Sequence, residues 1–202
     1  ARSFAGALGL EQAGRHVINV DLRGHGGSDW PTDGRYGFDA YVEDLRAVLG
    51  QMRTRPVVVA AMHSGWIATA ALAEDAATLA SGLILVDPPA EDGAQTVRAS
   101  AEALSASLLQ GLAKPDYDER LLDIFDVDGT GERLSVVAPH INIPVLLIRG
   151  ALGSVEPDTA SPTFVAAFPD VEAIDVNGGG LLVNAERTEA FNGLLIDFLE
   201  RK

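Results

Sequence analysis

Two short stretches hold most of the side chains that could do chemistry. Met62-His63-Ser64-Gly65-Trp66 follows an apolar run and puts an imidazole next to a hydroxyl. Asp87 closes a second apolar run, Leu85-Val86-Asp87-Pro88-Pro89. A serine becomes a nucleophile only when a base within hydrogen-bond reach takes its proton. His63 and Ser64 are sequence neighbours on a tight turn, which is an awkward geometry for a direct pair. Asp87 reads as a loop-capping carboxylate or, in a cleft, as an acid–base group. The chain has no cysteine, so disulfides, thiolate metal sites and cysteine nucleophiles are all excluded.

The elements that must position these groups follow from hydrophobic periodicity. His16–Asp21, Val57–Ala61, Leu83–Asp87, Val145–Arg149 and Val171–Val176 are short runs rich in Val and Ile, without polar alternation. Such runs suit strands buried on both faces. Ser3–Gln12, Phe38–Gln51, Ser64–Leu79, Thr159–Phe168 and Glu186–Arg201 carry apolar residues at helical spacing. Strands alternating with helices of this length predict an α/β fold, a mostly parallel sheet with helices on both faces. Binding sites in such sheets gather at the carboxyl ends of the strands, where both stretches lie. Residues 88–142 break the alternation. Helical patterns at Ala94–Leu112 and Asp118–Phe125 suggest a short helical cap inserted after the Leu83–Asp87 strand. Residues 1–202 therefore read as one domain carrying one cap.

Several longer motifs resemble the α/β-hydrolase superfamily. Asp21-Leu22-Arg23-Gly24-His25-Gly26-Gly27-Ser28-Asp29 is similar to the loop after that family's fourth strand. There glycines supply positive φ and polar side chains tie the loop down, which makes His25 and Asp29 structural. Pro56-Val57-Val58-Val59-Ala60-Ala61-Met62-His63-Ser64-Gly65-Trp66 resembles strand five and the nucleophile elbow, a small-x-Ser-x-small-small turn. Ala60, Ala61, Ser64 and Gly65 fall at or beside its small positions, so Met62 stands where the nucleophile belongs. A thioether cannot form a useful acyl-enzyme. Two other registers remain. Ser64 as nucleophile would place Met62 and Trp66 at small positions, and His63 there offers no serine.

The resemblance locates the remaining triad positions independently. Pro144 to Val155 is similar to the strand and loop that deliver the acid, and Ser154 occupies the acid's place. Val176-Asn177-Gly178-Gly179-Gly180-Leu181 resembles the segment bearing the catalytic histidine, and Leu181 occupies that place. Glu186-Arg187-Thr188-Glu189-Ala190-Phe191 anchors this register. Three separate replacements imply loss of the Ser/acid/His triad, whose removal costs orders of magnitude in rate. Asp87 stands where some superfamily members keep their acid. Met62 to Trp66 is also similar to cofactor-independent quinolone dioxygenases, which nonetheless need the late histidine. The family's earlier strands and oxyanion loop are expected to be missing. The His16 and Val57 strands would then need partners for their open edges, and a homodimer or partner chain completing the sheet is expected.

Composition bounds the rest. The formal net charge is −14 and the sequence pI about 4.5, a field that repels phosphate backbones and anionic lipid. Nucleic acid and membrane are therefore not expected partners. No apolar run is long enough for a membrane helix and no signal-peptide pattern opens the chain, so a cytoplasmic location is expected. Asp126-Val127-Asp128-Gly129-Thr130-Gly131-Glu132 resembles half of an EF-hand loop, but Val137 stands at the closing glutamate position. Gly178-Gly179-Gly180 lacks dinucleotide-binding spacing. His16 and His140 read as structural. Neither metal nor cofactor is expected. The chain is expected to bind a small apolar molecule or a partner without hydrolysing it, in a pocket of Met62, His63, Trp66, Asp87 and Leu181. The alternative is an enzyme acting on a small apolar substrate, as ester hydrolase with Ser64 as fallback nucleophile, or as lyase or cofactor-free oxygenase with His63 or Asp87 as acid–base groups.

Overall fold

The computed structural model describes residues 10–11, 13–88, 117–118, 120–121, 136–150, 165–179 and 183–201. The expected cap over 88–142 lies mostly outside these residues, as do the acidic Asp126–Glu132 loop and most of the helical patterns at Ser3–Gln12 and Thr159–Phe168.

Four apolar runs pair into one parallel sheet. β1 (Val57–Ala61), β2 (Gly82–Val86), β3 (Val145–Gly150) and β4 (Val171–Val176) lie in the order β1-β2-β3-β4. The register aligns Ala61 with Val86, Val86 with Ile148 and Gly150 with Val176. All five residues of β2 are buried. A central strand covered on both faces has no use for polar alternation, hence its unbroken Gly-Leu-Ile-Leu-Val sequence.

Successive side chains go to opposite faces and meet different helices. Val58, Ala60, Leu83, Leu85, Val145 and Leu147 pack with Leu49 of α1 (Phe38–Leu49) and with Ala68 and Leu72 of α2 (His63–Leu72). Ala76 of the short α3 (Ala76–Leu79) joins them. On the other face Ile84, Val86, Leu146, Ile148 and Val176 pack against Val183 of α4 (Val183–Glu186) and against Phe191, Leu195 and Phe198 of α5 (Thr188–Glu200). Each such side chain contributes about 1.5–3 kcal/mol when fully buried. Helices therefore cover both faces of a parallel sheet.

Three expectations are corrected in detail. His16–Asp21 is not a strand. It joins no ladder, and Ile18 and Val20 stay 53% and 41% exposed. A β-prone run becomes a strand only when a neighbour pairs with its backbone. Ser64–Leu79 is two helices, because Asp75 takes the non-helical angles φ −156° and ψ 58°. Glu186–Arg201 is also interrupted, since Arg187 at φ −131° and ψ 47° separates α4 from α5.

Candidate functional site

β1 ends in a strained turn. Its last residue Ala61 is followed by Met62 at φ 53° and ψ −131°, and α2 starts at His63. A positive φ on a non-glycine residue costs about 1–3 kcal/mol and persists only when its surroundings fix it. Here the Met62 N–H donates to the Val86 carbonyl at 2.9 Å, and the Met62 carbonyl accepts from Gly65 at 2.9 Å. Packing is close at residue 65. A Cβ there would lie 3.3 Å from Leu85 Cδ2 and 3.4 Å from Pro88 Cβ. The Met62 side chain is buried, 8% exposed.

The two residues after Met62 are placed quite differently. Ser64 folds back on the strand: its Oγ accepts from the Ala61 N–H at 3.0 Å and donates to the Ala61 carbonyl at 2.5 Å. Parallel strands send alternate N–H groups to opposite sides. Since Met62 N–H points to β2, that of Ala61 points to the other side of β1, where among the described residues the Ser64 hydroxyl serves it. His63 packs edge-on against Trp66, with ring centroids 5.5 Å apart. Burial lowers its imidazole to about 4, so it is neutral at physiological pH.

Asp87 follows β2 in the same way, at φ 44°. Its Oδ1 accepts from the Gly150 N–H at the tip of β3 at 2.7 Å. Its Oδ2 is buried and makes no hydrogen bond. Burial pushes the carboxyl up to about 6, against the opposing pull of the Gly150 hydrogen bond. On β3, Arg149 clamps Asp175 of β4 through two hydrogen bonds of 2.6 and 2.9 Å. Gly179, after β4, packs against Gly150: a Cβ on it would lie 3.5 Å from Gly150 Cα. Met62, Asp87, Gly150 and Gly179 thus mark four adjacent strand tips along one carboxyl edge. Ser154 and Leu181 lie outside the described residues.

The loop of residues 21–29 is tied down rather than aimed at this edge. Arg23 holds the Asp44 carboxylate of α1 through Nε and Nη2, both at 2.6 Å. Ser28 Oγ donates to the Asp21 carbonyl at 2.6 Å, and His25 Nδ1 donates to the Arg23 carbonyl at 3.1 Å. Gly24, at φ +74°, lies under the Tyr36 ring, where a Cβ would come within 2.6 Å of it. Sequence reasoning missed the next layer. The buried Tyr36 hydroxyl donates to Asp118 Oδ2 at 2.6 Å. Arg120 pairs with the same carboxylate and donates to the Pro31 carbonyl at 2.9 Å. The Arg120 guanidinium and the Tyr36 hydroxyl together hold the Asp118 carboxyl far below the usual carboxylate range. Only the tyrosine at 36 and the acid–base spacing at 118 and 120 hint at this in sequence.

The family model described as "Alpha/beta hydrolase family" matches residues 2–193. The chain belongs to the α/β hydrolase family. Among solved structures, NosK from Streptomyces actuosus is 25% identical with a TM-score of 0.71, over 98% of this chain and 91% of that one. The enol-lactonase from Burkholderia xenovorans is 21% identical with a TM-score of 0.71, over 98% and 86%. A meta-cleavage product hydrolase from Pseudomonas fluorescens is 15% identical with a TM-score of 0.75, over 99% and 84%. These likenesses speak to the fold. No curated protein matches the sequence. Met62, after β1, and Asp87, after β2, are the non-glycine residues with positive φ among the described residues. Among the described residues there is no cluster of metal-ligating side chains and no helix long and apolar enough to cross a membrane.

Proposed function

We propose that this α/β hydrolase family member binds a small apolar molecule, or a partner, at the carboxyl edge of its sheet without hydrolysing it through a serine triad. One observation carries the reading. The residue with the strained positive φ after β1 is Met62, φ 53°, while the hydroxyl two residues on, Ser64 Oγ, donates to the Ala61 carbonyl at 2.5 Å. A nucleophile must present its proton to a base, and Ser64 presents its own to backbone. On this reading Ser154 and Leu181 stand at the acid and base positions and neither can serve there. The cysteine-free composition supports a reducing cytoplasm as the place of action.

The solved neighbours include proteins named as a lactonase and a hydrolase, so hydrolysis is the reading to test against. Purified protein is expected to release no p-nitrophenolate from short-chain p-nitrophenyl esters above the buffer rate. A clear rate that vanishes in Ser64→Ala overturns the proposal. A second reading, acid–base catalysis without a nucleophile, is favoured by Asp87, whose carboxyl titrates at about 6 beside the elbow. Turnover abolished by Asp87→Ala but retained in Ser64→Ala would establish that reading instead.

A further inference from the structure

The ladder aligns Ala61 with Val86 and Val86 with Ile148, which sets Met62 beside Asp87 and Asp87 beside Arg149, with Gly150 next along β3, at the edge where parallel sheets bind ligands. Asp87 uses one carboxyl oxygen internally, Oδ1 on the Gly150 N–H at 2.7 Å. The other, Oδ2, is shielded from water and makes no hydrogen bond. Buried polar atoms are ordinarily matched, and an unmatched one in a folded chain calls for a partner or a proton. Met62, on the neighbouring strand tip, is unbranched and adapts by rotation.

We infer that Asp87 is the polar anchor of the ligand site: its carboxyl donates a hydrogen bond from Oδ2 to the carbonyl oxygen of a neutral, otherwise apolar molecule such as a ketone or ester. The inference rests on the small-molecule reading above and names the ligand class. No bond forms or breaks. A neutral acid is the donor form, and burial pushes this carboxyl up to about 6, so it persists in weakly acidic solution. The charged groups acting on it are Glu186 of α4 and Asp175 of β4, which favour the protonated form, and Arg149 of β3, which opposes it. Arg149 and Asp175 are clamped to each other at 2.6 Å, so their effects largely cancel. His63 at the elbow stays neutral over this range, because burial lowers it to about 4.

The probe is 2-octanone, a neutral molecule whose single polar group only accepts hydrogen bonds. Its affinity would be measured by calorimetry across roughly pH 5 to 8 for the native protein, Asp87→Asn and Asp87→Leu, with circular dichroism confirming the fold. Native affinity should fall by about tenfold or more over that span, as the donor proton is lost. Asp87→Asn, whose amide donates at every pH, should bind with no pH dependence. Asp87→Leu should bind weakly throughout. A native affinity constant with pH, or a fall shared by Asp87→Asn, overturns the anchor while leaving the binding reading intact. Absence of binding by all three proteins overturns both.

Discussion

Asp87 also makes a prediction about the folded chain alone, independent of any ligand. Its carboxyl is held at about 6 against an ordinary value of 3.8, chiefly by burial. In the unfolded chain it ionises near the ordinary value, so between those two pH values the folded protein holds a proton that the unfolded chain has released. Stability from this group is intact below about pH 4 and declines as pH rises through about 6, then stays level. The difference of about 2.2 units corresponds to roughly 3 kcal/mol as an upper bound, at about 1.4 kcal/mol per unit. Water penetration and local relaxation reduce that to roughly 1–2 kcal/mol. Asp87→Asn removes the ionisation and keeps the rest. Its amide oxygen can accept from Gly150, and asparagine tolerates the positive φ of 44° found there. The variant should match the native protein near pH 4 and exceed it by roughly 1–2 kcal/mol at pH 7.5, about 2–8 °C in Tm. Urea unfolding at half-unit pH steps would read the whole curve. A variant equal to or less stable than the native protein at pH 7.5, or a difference flat across pH, would refute the reasoning.

Two further substitutions probe what holds the edge and its supporting loop. Ser64→Ala should cost about 1–2 kcal/mol in chemical unfolding, because it leaves the Ala61 N–H and carbonyl without the hydroxyl that serves both. Asp118→Asn should lower stability at pH 7 in chemical unfolding, since it leaves the Arg120 guanidinium and the Tyr36 hydroxyl without the carboxylate they share. The Asp118 carboxyl is held well below its ordinary value, so its stabilisation is present above about pH 4 and is lost as pH falls further. The gap between variant and native protein should therefore narrow in strong acid.

The parts of the fold legible in sequence were those where local pattern and final environment coincide. β2 and β3 are buried on both faces, and Leu83 to Val86 and Val145 to Ile148 read as unbroken apolar runs for that reason. His16–Asp21 carries a similar pattern but joins no ladder, because pairing is a property of two segments and periodicity reports on one. The helix interruptions at Asp75 and Arg187 were hidden for a related reason: the apolar spacing continues across both, although the backbone does not. Around the site, the end of the apolar run at Ala61 marked the turn after β1 in sequence, and a Cβ at Gly65 beyond it would lie 3.3 Å from Leu85. The union of Tyr36 with Asp118, 82 residues apart, leaves no such local trace. Ser64 is intermediate. Its position beside the elbow was evident, but its hydrogen bonds to Ala61 depend on a strand edge that only the assembled sheet defines.

The elbow's conformation follows from packing and hydrogen bonding rather than from any reactive side chain. Met62 keeps φ 53° while its N–H bonds to Val86 and its carbonyl to Gly65. A Cβ at Gly65 would lie 3.3 Å from Leu85 and 3.4 Å from Pro88. None of these contacts requires a hydroxyl at position 62. The strain of about 1–3 kcal/mol is offset by β1–β2 pairing and by the seating of α2, both of which the fold needs in any case. Asp87 repeats the pattern one strand over, with a positive φ held by the Gly150 N–H across the sheet. A parallel sheet whose strand tips turn sharply into helices and loops will therefore keep a shaped, partly dehydrated edge whatever residues occupy it. What that edge can do is decided by the polar atoms left at it, and among the described residues the unmatched buried oxygen at the tips of β1, β2 and β3 is Asp87 Oδ2.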